Sequence, residues 1–402
     1  MSTITPDSLA NIHYRLKYSD AHATHTQLYY ARRVNFWRDI LPEKLMQALL
    51  TLRAGETVAL EFGPGDFERG YNARKRFDIR PAQFRRKSAA GYVVEPRYGR
   101  FYPKGLLRNI PGVFSENIEP FRCLKVNDDH IEVDFNHPMA GRSFQLSAVV
   151  DSVFEKIAEQ GGGSVDWIET VTDGPGMQSR SNGLPTDFLG PGSCAREDET
   201  PDAHFYRKPR FVHHTDRRAV ETITQLYADL LRPGMRVLDL MTSWLSHLPQ
   251  DLELDSVTGL GLNAAELEAN ERLNRRVHHD LNLAPTLPFE SDAFDAVICT
   301  VSVEYLARPF EVFKEVARVL RNDGLFVVTF SNRWFPPKAI RVWTELLEFE
   351  RLGLVSEYFM DSGRFKSLET FAVRGYPRPV DDKYFPQLRY SDPVYAVYGR
   401  KI

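Results

Sequence analysis

The chain has 402 residues, 26% charged and 43% hydrophobic, with a formal net charge of −3. Such a length exceeds one ordinary core and predicts two domains, while the small net charge gives no global case for nucleic-acid binding. Cys123, Cys194 and Cys299 show no CxxC or Cys/His ligand spacing, so no disulfide framework or metal site is implied, and a reducing cytoplasm is the expected compartment.

In chain order, Asn11 to Asp20 alternates like a strand. Ile40 to Leu50 reads as an amphipathic helix opened by Pro42, and Thr57 to Phe62 as the next strand. The stretch 156–203 turns rich in Gly, Ser, Pro and Asp and is expected to be a linker, with a short strand at Ser164 to Val171. Beyond it, Ala219 to Leu231 has helical spacing, followed by strands at Val237 to Leu240 and Ser256 to Leu260 and a helix from Asn263 to Leu273. A strand at Phe294 to Cys299, a helix at Pro309 to Leu320 and a strand at Leu325 to Phe330 continue the alternation. Strands alternating with helices predict a parallel, helix-covered sheet with its ligand at the carboxyl ends of the strands. The aromatic-rich stretch 366–402 ends in a further expected strand at Pro393 to Gly399. The charges at Asp7, Arg15, Lys17 and Asp20, and the lack of any run near the roughly 18 apolar residues of a membrane helix, predict a chain neither secreted nor membrane-spanning.

The first strand of the later half opens onto Met241-Thr242-Ser243-Trp244-Leu245, where a nucleotide-binding sheet of Rossmann type carries glycines. The series around it is ordered: Val237-Leu238-Asp239-Leu240, Val257 to Asn263, His279-Asp280-Leu281, Leu287-Pro288-Phe289 with Phe294 to Val297, and Glu315 to Leu325. On these motifs residues 204–365 resemble the class I S-adenosylmethionine-dependent methyltransferases of type 11, which implies an α/β Rossmann-like domain and S-adenosyl-L-methionine as cofactor. The resemblance puts Asp239 near the methionine moiety and Asp280, with Leu281, at the adenine. It departs from the family twice, at the loop and at Gly261, where an acidic residue usually holds the ribose.

Asn263 is a candidate to replace that acid through its amide, or else the N-cap of the helix that follows. Ser243, Trp244 and Ser302 are further cofactor candidates. His247, His214 and Tyr305 are candidate catalytic groups, and Arg333 and Trp334 candidate substrate contacts. Tyr206 to Asp216, with His213 and His214, lies where such enzymes place a lid over the cofactor, and Thr215 or Asp216 could cap the next helix.

In the first half, Asp128 to Arg142, with its Asn136-His137-Pro138-Met139-Ala140-Gly141 run, resembles the SlyD-like branch of the FKBP-type peptidyl-prolyl isomerases. That implies an α+β FKBP-like domain over residues 8–155, with Tyr14, Tyr98 and Phe144 as aromatic walls of a substrate pocket. The tryptophan usual at its floor is replaced at about Lys44. Between Glu68 and Arg108 stand twelve Lys or Arg against three acidic residues, interleaved with Tyr71, Phe77, Phe84, Tyr92, Tyr98, Phe101 and Tyr102. An acidic partner is the preferred occupant of that stretch over nucleic acid. The expected protein is a cytoplasmic methyltransferase acting on a small-molecule or protein substrate, with the FKBP-like domain recognising substrate or partner. The alternatives are a non-catalytic, chaperone-like binding protein and a prolyl isomerase.

Overall fold

The computed structural model describes residues 2–67, 70–87, 93–155 and 162–402. The chain divides into two compact units, the first holding 1–21, 25–188 and 345–353, the second 22–24, 189–344 and 354–402.

The first unit opens with β1 (Ser8–Ser19) and β2 (Ala23–Asn35), followed by α1 (Glu43–Leu49) and β3 (Thr57–Phe62). Along β1, Ile12, Tyr14, Leu16 and Tyr18 alternate inward, the period of a strand with one buried face. Next come β4 (Arg76–Ile79), β5 (Phe101–Pro103), β6 (Pro120–Val126) and β7 (Ile131–Asp134), a sheet of their own in the order β4-β7-β6-β5. β8 (Phe144–Glu155) then returns to the first sheet, whose order is β2-β1-β8-β3. The small sheet is thus an insertion between β3 and β8.

Within the stretch Ser164 to Val171, the residues from Trp167 on are helical rather than extended. Asp166 accepts the amide hydrogens of Ile168 and Glu169 and starts α2 (Trp167–Thr172), whose Trp167 packs in the unit's core and donates Nε1–H to Asp39 at 2.8 Å. A capping carboxylate outweighs the β-branched and aromatic composition of the segment. Residues 156–161 of the expected linker lie outside the described residues, and the change from one unit to the other falls between Phe188 and Leu189.

The second unit contains α3 (Asp202–Phe205), α4 (Arg217–Leu230), β9 (Arg236–Leu240), β10 (Ser256–Gly261), α5 (Ala264–Ala269), β11 (Arg275–His278), β12 (Phe294–Thr300), α6 (Pro309–Val319) and β13 (Leu320–Phe330). After α7 (Arg341–Glu345) and α8 (Glu348–Ser362) the chain adds β14 (Phe365–Arg374) and β15 (Val394–Lys401). The sheet runs β11-β10-β9-β12-β13-β15-β14. The first five strands pair in parallel, and β15 lies antiparallel between β13 and β14. Buried on both faces, β12 is apolar almost throughout. The order reverses between β9 and β12, which opens a crevice at their carboxyl ends. The helix expected over Asn263 to Leu273 is only one and a half turns, because Asn270 turns its amide to Ser243 and Ser246 instead of continuing it. Among the described residues no helix is long and apolar enough to cross a membrane.

Candidate functional site

The crevice is a cleft lined from the ends of β9, β10 and β12 and from the segment 206–215. Asp239, Ser243, Trp244, Asn263, Asp280, Leu281 and Ser302 all line it, as do His214, His247 and Tyr305. The fold therefore brings together the cofactor and catalytic candidates of the second unit.

Asp239 ends β9 fully buried, and desolvation raises its carboxyl to about 7, opposed by hydrogen bonds from Thr242 and Ser246. The Thr242 hydroxyl donates to it at 2.6 Å. The loop that follows is held by backbone and side chains instead of glycines. Met241 adopts φ +58° and His247 φ +46°, conformations that side chains seldom take. The Thr242 amide donates to the Leu260 carbonyl at 2.9 Å, and the Ser243 hydroxyl to Glu266 at 2.6 Å. Trp244 donates Nε1–H to the Val212 carbonyl at 3.3 Å and lies against Phe211 and His213, so the loop and the 206–215 segment brace one another.

Asn263 is the N-cap of α5, its Oδ1 accepting the Glu266 amide at 3.0 Å while Nδ2 donates to the carbonyls of Tyr206 and Arg207. Those bonds engage both ends of the amide that ribose recognition would call on. Asp280 accepts the amides of Asn282 and Leu283 on Oδ1, a turn that aims the carboxylate at the cleft wall. The Ser302 hydroxyl donates to the Thr300 carbonyl at 2.8 Å.

The imidazole of His247 is pushed down to about 4 by burial and by the neighbouring His213 and His214, and burial lowers His214 too. His247 Nδ1 is shut off from solvent without a hydrogen-bond partner in the protein. Burial pushes the Tyr305 phenol well up, and its oxygen accepts the Phe335 amide at 2.9 Å.

Arg333 and Trp334 are not in the lining; their neighbour Phe335 is. The Arg333 guanidinium lies 4.5 Å over the Tyr384 ring, which draws it away from the cleft. In the first unit Tyr14 is fully buried in the core and Phe144 stacks on Phe62 with centroids 5.5 Å apart. Tyr98 donates its hydroxyl to the Ser181 carbonyl at 3.0 Å. The three are packing and tethering side chains rather than walls of an open pocket, because the core of β1, β3 and β8 takes up the first two.

Part of the basic stretch is engaged within the protein. Arg86 pairs with Glu95, Arg97 with Asp187 and Lys104 with Glu119, while Arg100 and Glu350 form a buried pair at 3.0 Å. Phe84, Phe101 and Tyr102 are buried and not offered for stacking. Glu68, Arg69 and Tyr92 lie outside the described residues.

Asp202, Arg210, Glu266 and Asn282 also line the cleft, and none of them stood out in the sequence as a site residue. Asp202 is nearly fully buried, bound by both oxygens to Arg196 at 2.7 and 2.8 Å, with Lys338 Nζ at 3.3 Å and Asn282 at 2.8 Å. Glu266 takes the Arg210 amide at 2.7 Å on one oxygen and Ser243 on the other. Its place three residues after the capping Asn263 was the one local signal. Among the described residues no group of three His, Cys, Asp or Glu is placed to hold a metal ion.

Residues 240–328 match the methyltransferase domain family of type 11. The second unit has a methyltransferase-like α/β fold. S-adenosyl-L-methionine is the cofactor that goes with this domain. Among solved structures, the chain is similar to the methyltransferase bound to the Trm112 activator of Haloferax volcanii, at 18% identity over 46% of this chain and 90% of that one, TM-score 0.35. A SAM-dependent methyltransferase of Thermotoga maritima matches at 15% identity over 46% and 90%, TM-score 0.34, and one of Aquifex aeolicus at 14% over 50% and 97%, TM-score 0.31. No curated protein matches the sequence.

The residues present fit that cofactor. It carries a cationic sulfonium and ammonium, and the cleft offers the buried carboxyl of Asp239 beside imidazoles that burial keeps neutral.

Proposed function

We propose that the second unit transfers a methyl group from S-adenosyl-L-methionine to a small-molecule or protein acceptor in the cytoplasm. The observation that carries this reading is the buried Asp239 carboxyl at the end of β9, raised to about 7 and set in the cleft of the methyltransferase-like sheet. A desolvated acid is most readily ionised by a cation placed against it, and the methionine arm is such a cation. Asp280 and Leu281 would receive the adenine, and Ser243, Trp244, Asn263 and Ser302 would shape the cradle. When bound, the cofactor supplies an electrophilic methyl group; the protein's part is alignment, with a base only if the acceptor must lose a proton.

The neutral His247 and His214 would face the cofactor without repelling it, His214 serving as the acceptor's base. Tyr305 stays protonated and would position the acceptor through its hydroxyl. The first unit, read as FKBP-like, would recognise substrate or partner. In support stands its order of strands and helix, with a sheet inserted before Asn136 to Gly141 and the return strand β8. The burial of Tyr14 and Phe144 and the tether on Tyr98 speak for recognition over prolyl isomerisation.

A second reading, a binding protein without turnover, is favoured by one observation: β10 ends in Gly261, with no carboxylate for the ribose. Calorimetric titration of the purified protein with S-adenosylmethionine and S-adenosylhomocysteine, beside Asp280→Ala, tests the proposal. Micromolar binding weakened by the substitution supports a cofactor site, and release of labelled methyl into an acceptor then separates the enzyme from the binder. No binding by folded protein overturns the methyl-transfer reading and favours the binding protein without turnover.

A further inference from the structure

Arg210 lines the cleft with a guanidinium 4.6 Å over Phe205, 5.6 Å over Tyr206 and 5.3 Å over Phe335. Three aromatic rings surround the fork and strip it of much of its water. Its Nη2 donates to the Phe205 carbonyl at 3.0 Å, but Nη1 is closed to solvent and has no partner in the protein. The acids that could have served it are committed: Asp202 to Arg196, Lys338 and Asn282, and Glu266 to the Arg210 amide and Ser243. A buried guanidinium N–H without an acceptor is costly, and a planar fork is matched best by a carboxylate.

The loop after β9 sharpens the assignment. In a glycine-rich loop the backbone amides are free to meet ligand oxygens, whereas here the Thr242 amide is spent on the Leu260 carbonyl. That amide is thereby withdrawn from the ligand's negative end. Arg210 is joined to that same loop through Glu266, which holds the Arg210 amide on one oxygen and the Ser243 hydroxyl on the other.

We infer that Arg210 receives the α-carboxylate of the cofactor's methionine arm, in place of the Thr242 amide that Leu260 has taken up. The inference rests on the methyl-transfer reading for the identity of the ligand. Its test is calorimetric titration of wild type, Arg210→Met and Arg210→Lys with S-adenosylhomocysteine and with 5′-methylthioadenosine, the same nucleoside thioether without the amino-acid group. The expected result is at least a tenfold loss of S-adenosylhomocysteine affinity in Arg210→Met, a smaller loss in Arg210→Lys, and unchanged 5′-methylthioadenosine affinity in both. The last value also reports that the variants are folded. Equal weakening of both ligands, or no weakening of either, overturns the assignment while leaving the cofactor site standing. A wild-type protein that binds neither ligand overturns the methyl-transfer reading and this inference with it.

Discussion

A Cβ placed on Gly261 would lie 2.3 Å from the carbonyl oxygen of Thr242. The loop after β9, which has no glycines, lies against the end of β10, where Gly261 leaves room for it. The two departures from the common cofactor-binding pattern are therefore one structural change: any side chain at 261 would push the loop off Leu260, whose carbonyl holds the Thr242 amide.

Gly261→Asp, which restores the usual acid, is accordingly expected to weaken the protein rather than improve its site. The cost should be about 2 to 3 kcal/mol from overpacking. It would be read as a lower urea midpoint at unchanged slope, together with weaker S-adenosylmethionine binding. Tighter binding at unchanged stability would show that the loop yields freely.

Asp239 predicts a pH dependence of cofactor affinity. Its carboxyl titrates near 7 in the free protein, and a cationic ligand favours the ionised form. Affinity for S-adenosylmethionine should rise up to about tenfold per pH unit below 7 and level off above it. In Asp239→Asn this rise should vanish along with most of the binding. The stability effect has the opposite sense. A carboxyl whose folded value is raised above its unfolded one contributes stability that is full below about 4 and lost as pH rises through about 7. Thermal melts should then show Asp239→Asn more stable than wild type at pH 8 and the two alike at pH 4.

His247 acts at the other end of the scale. Its folded value is depressed to about 4, so its contribution is full above the ordinary histidine value of about 6.5 and lost as pH falls from there to about 4. His247→Asn keeps a residue that tolerates the left-handed backbone. It should flatten the acid limb of a stability profile across that window; an unchanged limb would assign the acid sensitivity to other groups.

The Asp202 cluster carries the segment that walls the cleft. Asp202→Asn leaves Arg196 and the fully buried Lys338 facing a neutral amide. Unfolding in urea should register a loss of about 3 kcal/mol. The double change Asp202→Leu with Lys338→Met should lose less than the two single changes summed, because each partner is costly chiefly when left alone.

Periodicity alone placed β9, β10, β12, β13 and β15 with α4, α5 and α6, since those strands are apolar runs between helical patterns and have few other ways to bury themselves; β11, β14, α7 and α8 did not stand out by pattern. It failed at Ser164 to Val171, where one capping carboxylate at Asp166 reversed the local preference. Asp239 and Asp280 were legible because they sit at fixed places in ordered motifs. Arg210, Glu266 and Asp202 were not, because their partners stand at distances in sequence that no local pattern encodes.

The sequence by itself determined the alternation that demands a parallel sheet, the loss of glycines after its first strand, and hence that the cofactor loop had changed. Only the tertiary structure decided how that loss is accommodated. The space a side chain would need at 261 is filled by a backbone carbonyl nineteen positions earlier in the chain, at 242. Likewise, whether Tyr14 walls a pocket or fills a core depends on what β3 and β8 bring against it, and burial of that kind is a property of the assembled sheet rather than of any stretch of chain.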